Sequence, residues 1–248
     1  MPNYVDNRLL LTRFNNDAET NKAFLDEIHN KICSKNKEGK YVIDFNKIIP
    51  TPETLNEYTQ DGYETDKLRY YCLTHGHSKE SYLKLMQILA SYTYTDEDPT
   101  IGNKGPSSKP FSVEDYEEWF KKNPVSHEVG YDENHKVIFT DVDTKTKWLR
   151  DGELIVTNLS KYKCVDWHEW RIEHWGTKWN ACRPTEFSEY KDDSNVYFEC
   201  NFDTAWDPPR PVVIEISKIL NCTVRMFCRF EGETAVGCAQ FTNGVQTM

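Results

Sequence analysis

The chain has 248 residues and a formal net charge of −10, from 40 acidic and 30 basic side chains. Its mean hydropathy of −0.74, together with the lack of any run of about 18 apolar residues, excludes an integral membrane protein. Aromatic residues make up 13% of the chain, which is enough for a hydrophobic core and excludes an intrinsically disordered protein.

The first fifty residues carry the pattern strand, helix, strand. Three consecutive leucines, residues 9–11, lie between polar flanks and predict a buried strand over Asn7–Phe14. An amphipathic helix is predicted from Asn15 to about Cys33, because apolar side chains recur there four residues apart. These side chains are Phe24, Ile28 and Ile32. A second extended segment is expected over Tyr41–Phe45, before two prolines.

The middle of the chain is predicted to be mainly helical. A helix is expected over Ser78–Ser91, and another begins after Ser112, which has the side chain of a helix cap. Between them lies a polar, glycine- and proline-containing loop. Two short apolar runs, Val137–Phe139 and Leu154–Val156, are expected to pair as a β-hairpin.

The last third repeats the strand and helix pattern of the first fifty residues. Apolar and polar residues alternate over Asn195–Phe202, and again over residues 223–230, so that both segments are expected to be half-buried strands. Pro211 opens a helix between them. The turn Glu231-Gly232-Glu233 leads into a final strand, Thr234–Phe241.

Because the two ends complement each other, we expect one discontinuous core rather than two independent domains. The core comprises residues 1–54 and 160–248, and residues 55–159 form an insertion subdomain. Strands and helices that segregate in this way predict an α+β fold.

Tryptophan is concentrated in the segment Asp166–Ala181. Trp167 and Trp170 lie three residues apart and suit one face of a helix that ends before Gly176. Trp175 and Trp179 flank the turn that follows. We expect these indoles to hold the helix against the sheet as part of the aromatic core.

The cysteines and histidines form no recognised metal site. None of the eight cysteines belongs to a C-x-x-C pair, so free thiols are expected. Cys72, His75 and His77 have a metal-like spacing, but a closed zinc site would need a fourth ligand from elsewhere. His168 and His174 are six residues apart, too far for a two-histidine zinc helix. No metal or cofactor is predicted.

No phosphate-binding glycine loop occurs, and the first residues lack a basic segment followed by an apolar one. A secretory signal is therefore not expected, and we predict a cytoplasmic protein.

Five blocks of the sequence carry a family resemblance. They are Met1–Leu9, Asp44–Pro52, Trp175–Ala181, Phe202–Pro209 and Phe230–Glu233. The most specific is Trp175–Ala181, with the sequence W-G-T-K-W-N-A. These blocks resemble the YubB-like or Api92-like group of phage and conjugative-plasmid proteins, although Tyr4 stands where that group usually has tryptophan. The resemblance covers roughly the first fifty and the last ninety residues.

The resemblance implies a ferredoxin-like antiparallel sheet with two packed helices, into which the middle region is a large, mainly helical insertion. It also implies a mobile-element origin and the cytoplasm of a bacterial host cell. The family has no established catalytic residues, so the resemblance implies no activity. The motif residues are expected to be structural, and they are Trp175, Gly176, Thr177, Lys178, Trp179, Asn180 and Trp206.

These observations lead to the hypothesis of a non-enzymatic effector that binds and inhibits a host protein. Acidic clusters would complement a target with a basic nucleic-acid-binding surface, such as a CRISPR–Cas nuclease. The predicted partner-binding residues are Asp96, Glu97, Asp98, Glu114, Asp115, Glu117 and Glu118. The plainer alternative is that the acidic excess only keeps the protein soluble. No membrane partner is expected.

A second hypothesis is an RNA- or nucleotide-binding module that uses the exposed face of the sheet. Arg225, Phe227 and Arg229 share one strand face, and Tyr197 is expected beside them. Aromatic and basic side chains on such a face stack bases in RNA-recognition modules. The net acidity opposes this hypothesis, because binding to a phosphate backbone needs clustered Lys and Arg, and direct nucleic-acid binding is not expected.

Overall fold

The protein is described by a computed structural model that covers residues 3–13, 18–93, 129–131, 137–139, 142–191 and 195–248. The chain divides into two compact units. Unit 1 combines Met1–Thr51 with Trp170–Met248, and unit 2 is Pro52–Glu169.

The helices and strands follow in chain order. The first half contains β1 (Tyr4–Thr12), α1 (Ala18–Ile32), β2 (Cys33–Lys35), β3 (Tyr41–Ile43), α2 (Phe45–Ile48), α3 (Glu53–Glu57), α4 (Glu64–Thr74) and α5 (Lys79–Thr93). The rest contains β4 (Val129–Tyr131), β5 (Val137–Phe139), α6 (Val142–Tyr162), α7 (Trp167–Trp175), β6 (Ser188–Lys191), β7 (Val196–Ala205), α8 (Arg210–Ile219), β8 (Thr223–Phe230), β9 (Gly237–Thr242) and β10 (Val245–Gln246).

Unit 1 is built on a six-stranded antiparallel sheet with the order β10-β9-β8-β1-β7-β6. The central strand β1 lies between β7 and β8, so that Leu9 is opposite Cys200 on one side and Met226 on the other. Together with the helices, this sheet confirms the predicted α+β class.

Three helices cover one face of that sheet. From α1, Phe24 meets Phe198 of β7 edge-on, with 5.6 Å between the ring centroids. From α2, Phe45 meets Phe202 in the same way at 5.6 Å. Helix α8 contacts both α2 and β8, and its Val212, Val213 and Ile216 are fully buried. Burying apolar side chains of this size is the main favourable contribution to folding.

Unit 2 is a helical cluster with one short hairpin. Its core is formed by apolar side chains from α4, α5 and α6. The most deeply buried of these are Leu68, Cys72, Met86, Ile155 and Leu159. The hairpin pairs β4 with β5.

The predicted pairing of Val137–Phe139 with Leu154–Val156 is wrong. Val137–Phe139 pairs with Val129–Tyr131 instead, and Leu154–Val156 lies inside helix α6. This segment forms a helix because its buried residues recur at intervals of three or four. They are Trp148, Gly152, Ile155 and Leu159. The helix expected after Ser112 lies outside the described residues.

A buried charge links α4 to α6. The side chain of Lys67 is only 1% exposed, and its Nζ lies 2.6 Å from Asp61 Oδ2 and 2.7 Å from Asp151 Oδ2. Burial alone would lower the pKa of Lys67, but the hydrogen bonds to Asp151 and Asp61 raise it above its ordinary value. Lys67 is therefore charged, and losing either carboxylate would leave part of that charge unbalanced in the core.

None of the helices in the described ranges is both long enough and apolar enough to cross a bilayer.

We predict that Gly152→Ala destabilises unit 2. A Cβ at this position would lie 2.6 Å from Tyr71 Cβ and 2.7 Å from the Lys67 carbonyl oxygen, so α4 and α6 would have to separate. We expect the free energy of unfolding to fall by about 1–3 kcal/mol, measured by urea denaturation followed by circular dichroism.

The matched control is Lys147→Ala, at an exposed position of the same helix. A helical Gly→Ala change without a steric conflict stabilises by about 1 kcal/mol. An increase in stability for Gly152→Ala would therefore contradict the close approach of the two helices.

Candidate binding surface

The face of the sheet opposite the helices is polar, and we call it the polar face. Residues directly opposite each other on neighbouring strands point to the same side of a sheet. Asp6 is opposite Asp203 and Arg229, and Arg8 is opposite Asn201 and Phe227. The polar face consists of Asp6, Arg8, Leu10, Glu199, Asn201, Asp203, Arg225, Phe227 and Arg229.

Three arginines on or beside this face are neutralised by carboxylates of the sheet. The pairs are Arg229 with Asp6 at 2.6 Å, Arg8 with Glu199 at 2.7 Å, and Arg183 with Asp203 at 2.5 Å. The hydrogen bond from Arg229 lowers the pKa of Asp6, and the one from Arg8 lowers the pKa of Glu199. The surface therefore presents alternating charges of both signs rather than a positive field.

The sequence predicts that Tyr197 lies exposed beside the arginines, but in the structure it is buried. Its side chain is only 2% exposed, because the Tyr190 ring packs 6.0 Å away and the Arg225 guanidinium lies 5.6 Å from its centroid. Tyr197 Oη also accepts a hydrogen bond of 3.3 Å from Arg225 Nη1. The expectation that Tyr197 is available to stack a base is corrected by this burial.

The other three residues of the nucleic-acid hypothesis differ in what they contact. Arg225 Nε donates to Gln240 Oε1 at 2.8 Å, and no carboxylate of the described residues forms a salt bridge with it. Phe227 is half-buried. Arg229 has a side chain that is 56% exposed, but it is committed to Asp6.

A shallow groove of about 470 Å³ crosses the polar face. It is lined by Asp6, Arg8, Asn201, Asp203, Phe227 and Val236, among others. Arg8 Nε is buried and has no hydrogen-bond acceptor within the described part of the chain. The groove therefore combines charged side chains of both signs with the apolar side chains of Phe227 and Val236.

The blocks that carry the family resemblance come together in unit 1. Asn180 Oδ1 accepts hydrogen bonds from the backbone N–H of Phe45 at 2.8 Å and of Ala181 at 2.9 Å, while its Nδ2 donates to Asp44 Oδ1 at 2.8 Å. Asp44 Oδ1 in turn accepts from the Asn46 N–H and caps α2. One side chain thus joins the second block to the third.

Trp175, Gly176 and Thr177 make the remaining internal contacts of this motif. Trp175 is 1% exposed, and its Nε1 donates to the Ile49 carbonyl at 2.8 Å. Gly176 has φ of +80°, and a Cβ there would lie 3.0 Å from the Pro208 carbonyl oxygen. Thr177 Oγ1 donates to the Ala205 carbonyl at 2.9 Å. The contact of Trp175 adds a link to the second block, and the contacts of Gly176 and Thr177 join the third block to the fourth.

Lys178, Trp179 and Trp206 form an aromatic and cationic cluster at the end of β7. Lys178 Nζ lies 3.6 Å from the centroid of the Trp206 ring and 4.4 Å from that of Trp179. Trp206 is 44% exposed. An ammonium over an indole face is held by the ring quadrupole, so this part of the motif faces solvent with a defined geometry.

In the metal-like triplet, Cys72 is buried, whereas both histidines pack near the ring of Tyr71. Cys72 is 1% exposed, and burial raises its pKa to about 11. His75 stacks on Tyr71, with 4.1 Å between the ring centroids. Across the residues that the structure covers, no group of three or more His, Cys, Asp or Glu side chains is placed to hold a metal ion.

The predicted partner-binding residues Asp96, Glu97, Asp98, Glu114, Asp115, Glu117 and Glu118 lie outside the described residues.

Sequence reasoning missed two groups of residues. The first is the pair Asp6 and Arg8, whose spacing of two within a strand was the available signal for a charged face.

The second is Asp166 with Glu169, at the start of α7. Burial raises the pKa of Asp166 to about 7, and its hydrogen bond with Glu169 adds to the effect. An acidic residue three positions after a helix cap was the available signal for this pair.

Comparison with known proteins adds little. No family model matches the sequence, and no curated protein matches it. Among solved structures the chain is similar to the protein api92 from Yersinia pseudotuberculosis, of the family DUF1281, with 11% identity and a TM-score of 0.38. The match covers 100% of this chain and 96% of that one. A likeness of this size carries no argument about fold or function.

We predict that Asn180→Ala destabilises unit 1 by about 1–3 kcal/mol, because it leaves the Phe45 N–H without its acceptor and weakens the cap of α2. The midpoint of urea denaturation measures the effect. Gln87→Ala is the control, because it removes an exposed amide from helix α5. Equal midpoints for the two variants would show that Asn180 does not join the blocks.

A second prediction concerns the dependence of stability on pH. Because the pKa of Asp166 is raised in the folded state, folding binds a proton between about pH 4 and pH 7, and stability falls as the pH rises through that window. Asp166→Asn cannot ionise, yet it can still accept from the His168 N–H and donate to Glu169. We expect the variant to gain stability relative to the wild type between pH 4.5 and pH 8.

Urea denaturation at pH 4.5, 6 and 8 tests this expectation. A difference in unfolding free energy that stays constant across the three pH values would contradict the raised pKa of Asp166.

Proposed function

We propose that this chain acts by binding rather than by catalysis, as a mobile-element effector that engages a host protein through the polar face of unit 1. The observation that carries the proposal is the alternation of compensated charges on that face. Asp6, Arg8 and Arg229 are exposed and paired within the protein.

A face of this kind is suited to a protein partner. Phosphate groups are bound by arginines whose charge is available, and here a carboxylate already holds Arg8 and Arg229. A protein surface with its own mixed charges can match both signs, which selects the partner and fixes its register. The groove beside Phe227 and Val236 offers apolar area within the same surface, as the centre of an interface needs.

We further propose that the chain is a member of the Api92-like group and that unit 1 is ferredoxin-like. The convergence of the sequence blocks on Asn180 and Thr177 supports the first proposal. The strand order β8-β1-β7-β6 supports the second. In that order β1 lies between β7 and β8, which are parallel to each other and joined by α8, as in a split βαβ unit.

The proposed target is a bacterial host protein with a basic nucleic-acid-binding surface, such as a CRISPR–Cas nuclease, in the host cytoplasm. The net charge of −10 supports this choice, because an acidic protein is attracted to a basic channel and competes there with nucleic acid.

Binding of RNA or nucleotides is the second candidate. It is favoured by Arg225, which has a hydrogen-bonded but not an ionic partner among the residues described, and by the partly exposed ring of Phe227. The burial of Tyr197 leaves Phe227 with fewer neighbours for stacking, so we rank this candidate below a protein partner.

The test exchanges the charges of one pair while keeping the pair intact. In the double variant Asp6→Arg with Arg229→Asp, the ion pair can reform, so the thermal midpoint should stay close to that of the wild type. A partner that reads the charge pattern should bind at least about tenfold more weakly. The measurement is capture of host proteins from nuclease-treated bacterial lysate, followed by titration of the identified protein.

The matched control is Glu215→Lys with Lys218→Glu, an exposed ion pair on helix α8. Equal binding of the wild type and the Asp6/Arg229 exchange would refute the polar face as the binding surface. Capture that disappears with nuclease treatment, and that Arg225→Ala abolishes, would favour the nucleic-acid candidate.

A further inference from the structure

Trp206 occupies a backbone conformation that a bulky residue rarely adopts. Its φ is +73°, and the Asp207 N–H donates to the Ala205 carbonyl at 3.0 Å. This i to i+2 hydrogen bond with a positive φ at the central residue defines the rare, strained form of the γ-turn. Glycine would adopt this conformation without steric cost, yet the chain has tryptophan here.

Buried side chains hold the turn in place. Thr204, which is 0% exposed, donates from Oγ1 to the Asp207 carbonyl at 2.8 Å. Thr177, which is 2% exposed, donates to the Ala205 carbonyl at 2.9 Å. The Trp206 N–H itself donates to the Asn3 carbonyl at 2.9 Å. A strained backbone persists only where its surroundings over-determine it, and such residues cluster at functional sites.

The strained turn presents its side chain outward. Trp206 is 44% exposed, and Lys178 Nζ, 3.6 Å from its ring centroid, limits the orientations of the indole. Lys178 also lies 4.4 Å from the Trp179 ring. In the described part of the chain no carboxylate lies within salt-bridge distance of Lys178. The cluster therefore combines a pre-oriented indole with a positive charge that the polar face does not neutralise.

We infer that Trp206 is the residue that anchors this protein to its partner, and that it enters an apolar pocket of a protein whose rim carries a carboxylate for Lys178. The inference rests on one part of the proposed function, namely that the binding partner is a protein. Tryptophan is the residue type most enriched among interface residues that dominate binding. Orienting it before binding reduces the entropy lost on association.

Charge favours a protein pocket over a nucleobase as the group that Trp206 meets. Lys178 lies over one face of the indole, which removes that face as a platform for stacking a base. Asp207 follows Trp206 directly and is exposed, and it would repel the phosphate attached to such a base. A carboxylate at the rim of a protein pocket would pair with the ammonium of Lys178, which has no salt-bridge partner in the described part of the chain.

The first experiment places a photo-crosslinking group at the anchor. p-Benzoylphenylalanine replaces Trp206, and in a control protein it replaces Ile172, which is 40% exposed on helix α7. Each protein is irradiated in nuclease-treated bacterial lysate, and adducts are mapped by mass spectrometry. We expect residue 206 to crosslink one host protein in an apolar pocket with Asp or Glu at its rim.

Residue 172 should not form this adduct, and Lys178→Glu should reduce it at least about tenfold. An adduct with nucleic acid, an adduct with a second copy of this chain, equal crosslinking from residue 172, or no adduct would each overturn the inference.

The second experiment separates binding from stability. Trp206→Gly removes the indole and relieves the positive φ, so the urea midpoint should be unchanged or higher while binding of the crosslinked protein falls at least about tenfold. Asn243 also has a positive φ, of 49°. Asn243→Gly is therefore the control for the effect on stability of relieving backbone strain alone. A lower midpoint for Trp206→Gly would show that the indole serves the fold, and unchanged binding would show that it is not the anchor.

The results also separate this inference from the proposed function. If the Asp6/Arg229 exchange abolishes binding and Trp206→Gly does not, only the anchor is wrong. If Trp206→Gly abolishes binding and the exchange does not, the anchor stands and the polar face is not the binding surface.

Discussion

The pairing of β1 with β7 and β8 holds unit 1 together. β1 belongs to the N-terminal piece of the chain, whereas both of its neighbours belong to the C-terminal piece. The entropy lost in closing a long loop grows only slowly with its length, so a large insertion between the two pieces costs little once these strands pair. Asn180 reinforces the same junction, because it bonds to Asp44 and to the N–H of Phe45.

Helices and strands whose apolar residues recur with a clear period could be predicted from the sequence. Phe24, Ile28 and Ile32 mark the buried stripe of α1, and each is buried as expected. Helix α6 could not be found in this way, because Leu154–Val156 is a short apolar run that suits a strand as well as a helix. The helical period of α6 becomes visible only when Trp148 and Gly152 are counted together with Leu154–Val156. Glycine is not normally expected at a buried position of a helix.

The candidate site could be predicted less well, because it depends on register and on contacts between distant residues. Asp6 meets Arg229 only in the observed alignment of β1 with β8. Tyr197 is buried because β6 brings Tyr190 beside it, and the sequence offers no strong pattern for so short a strand. The resemblance singled out both Lys178 and Trp206 as motif residues, but their contact follows from the turn that Thr177 holds in place.

In the proposed function, the polar face and the tryptophan cluster would contribute differently to recognition. Exposed ion pairs add little to affinity, because each charge is already satisfied and screened by water, but their pattern rejects surfaces of the wrong sign. An oriented indole adds apolar contact area, yet on its own it would accept many pockets. The structure holds Trp206 in a strained turn with two buried threonine hydroxyls. Glycine would occupy that turn without strain, so tryptophan there carries a backbone cost that the proposed contact with a partner would offset.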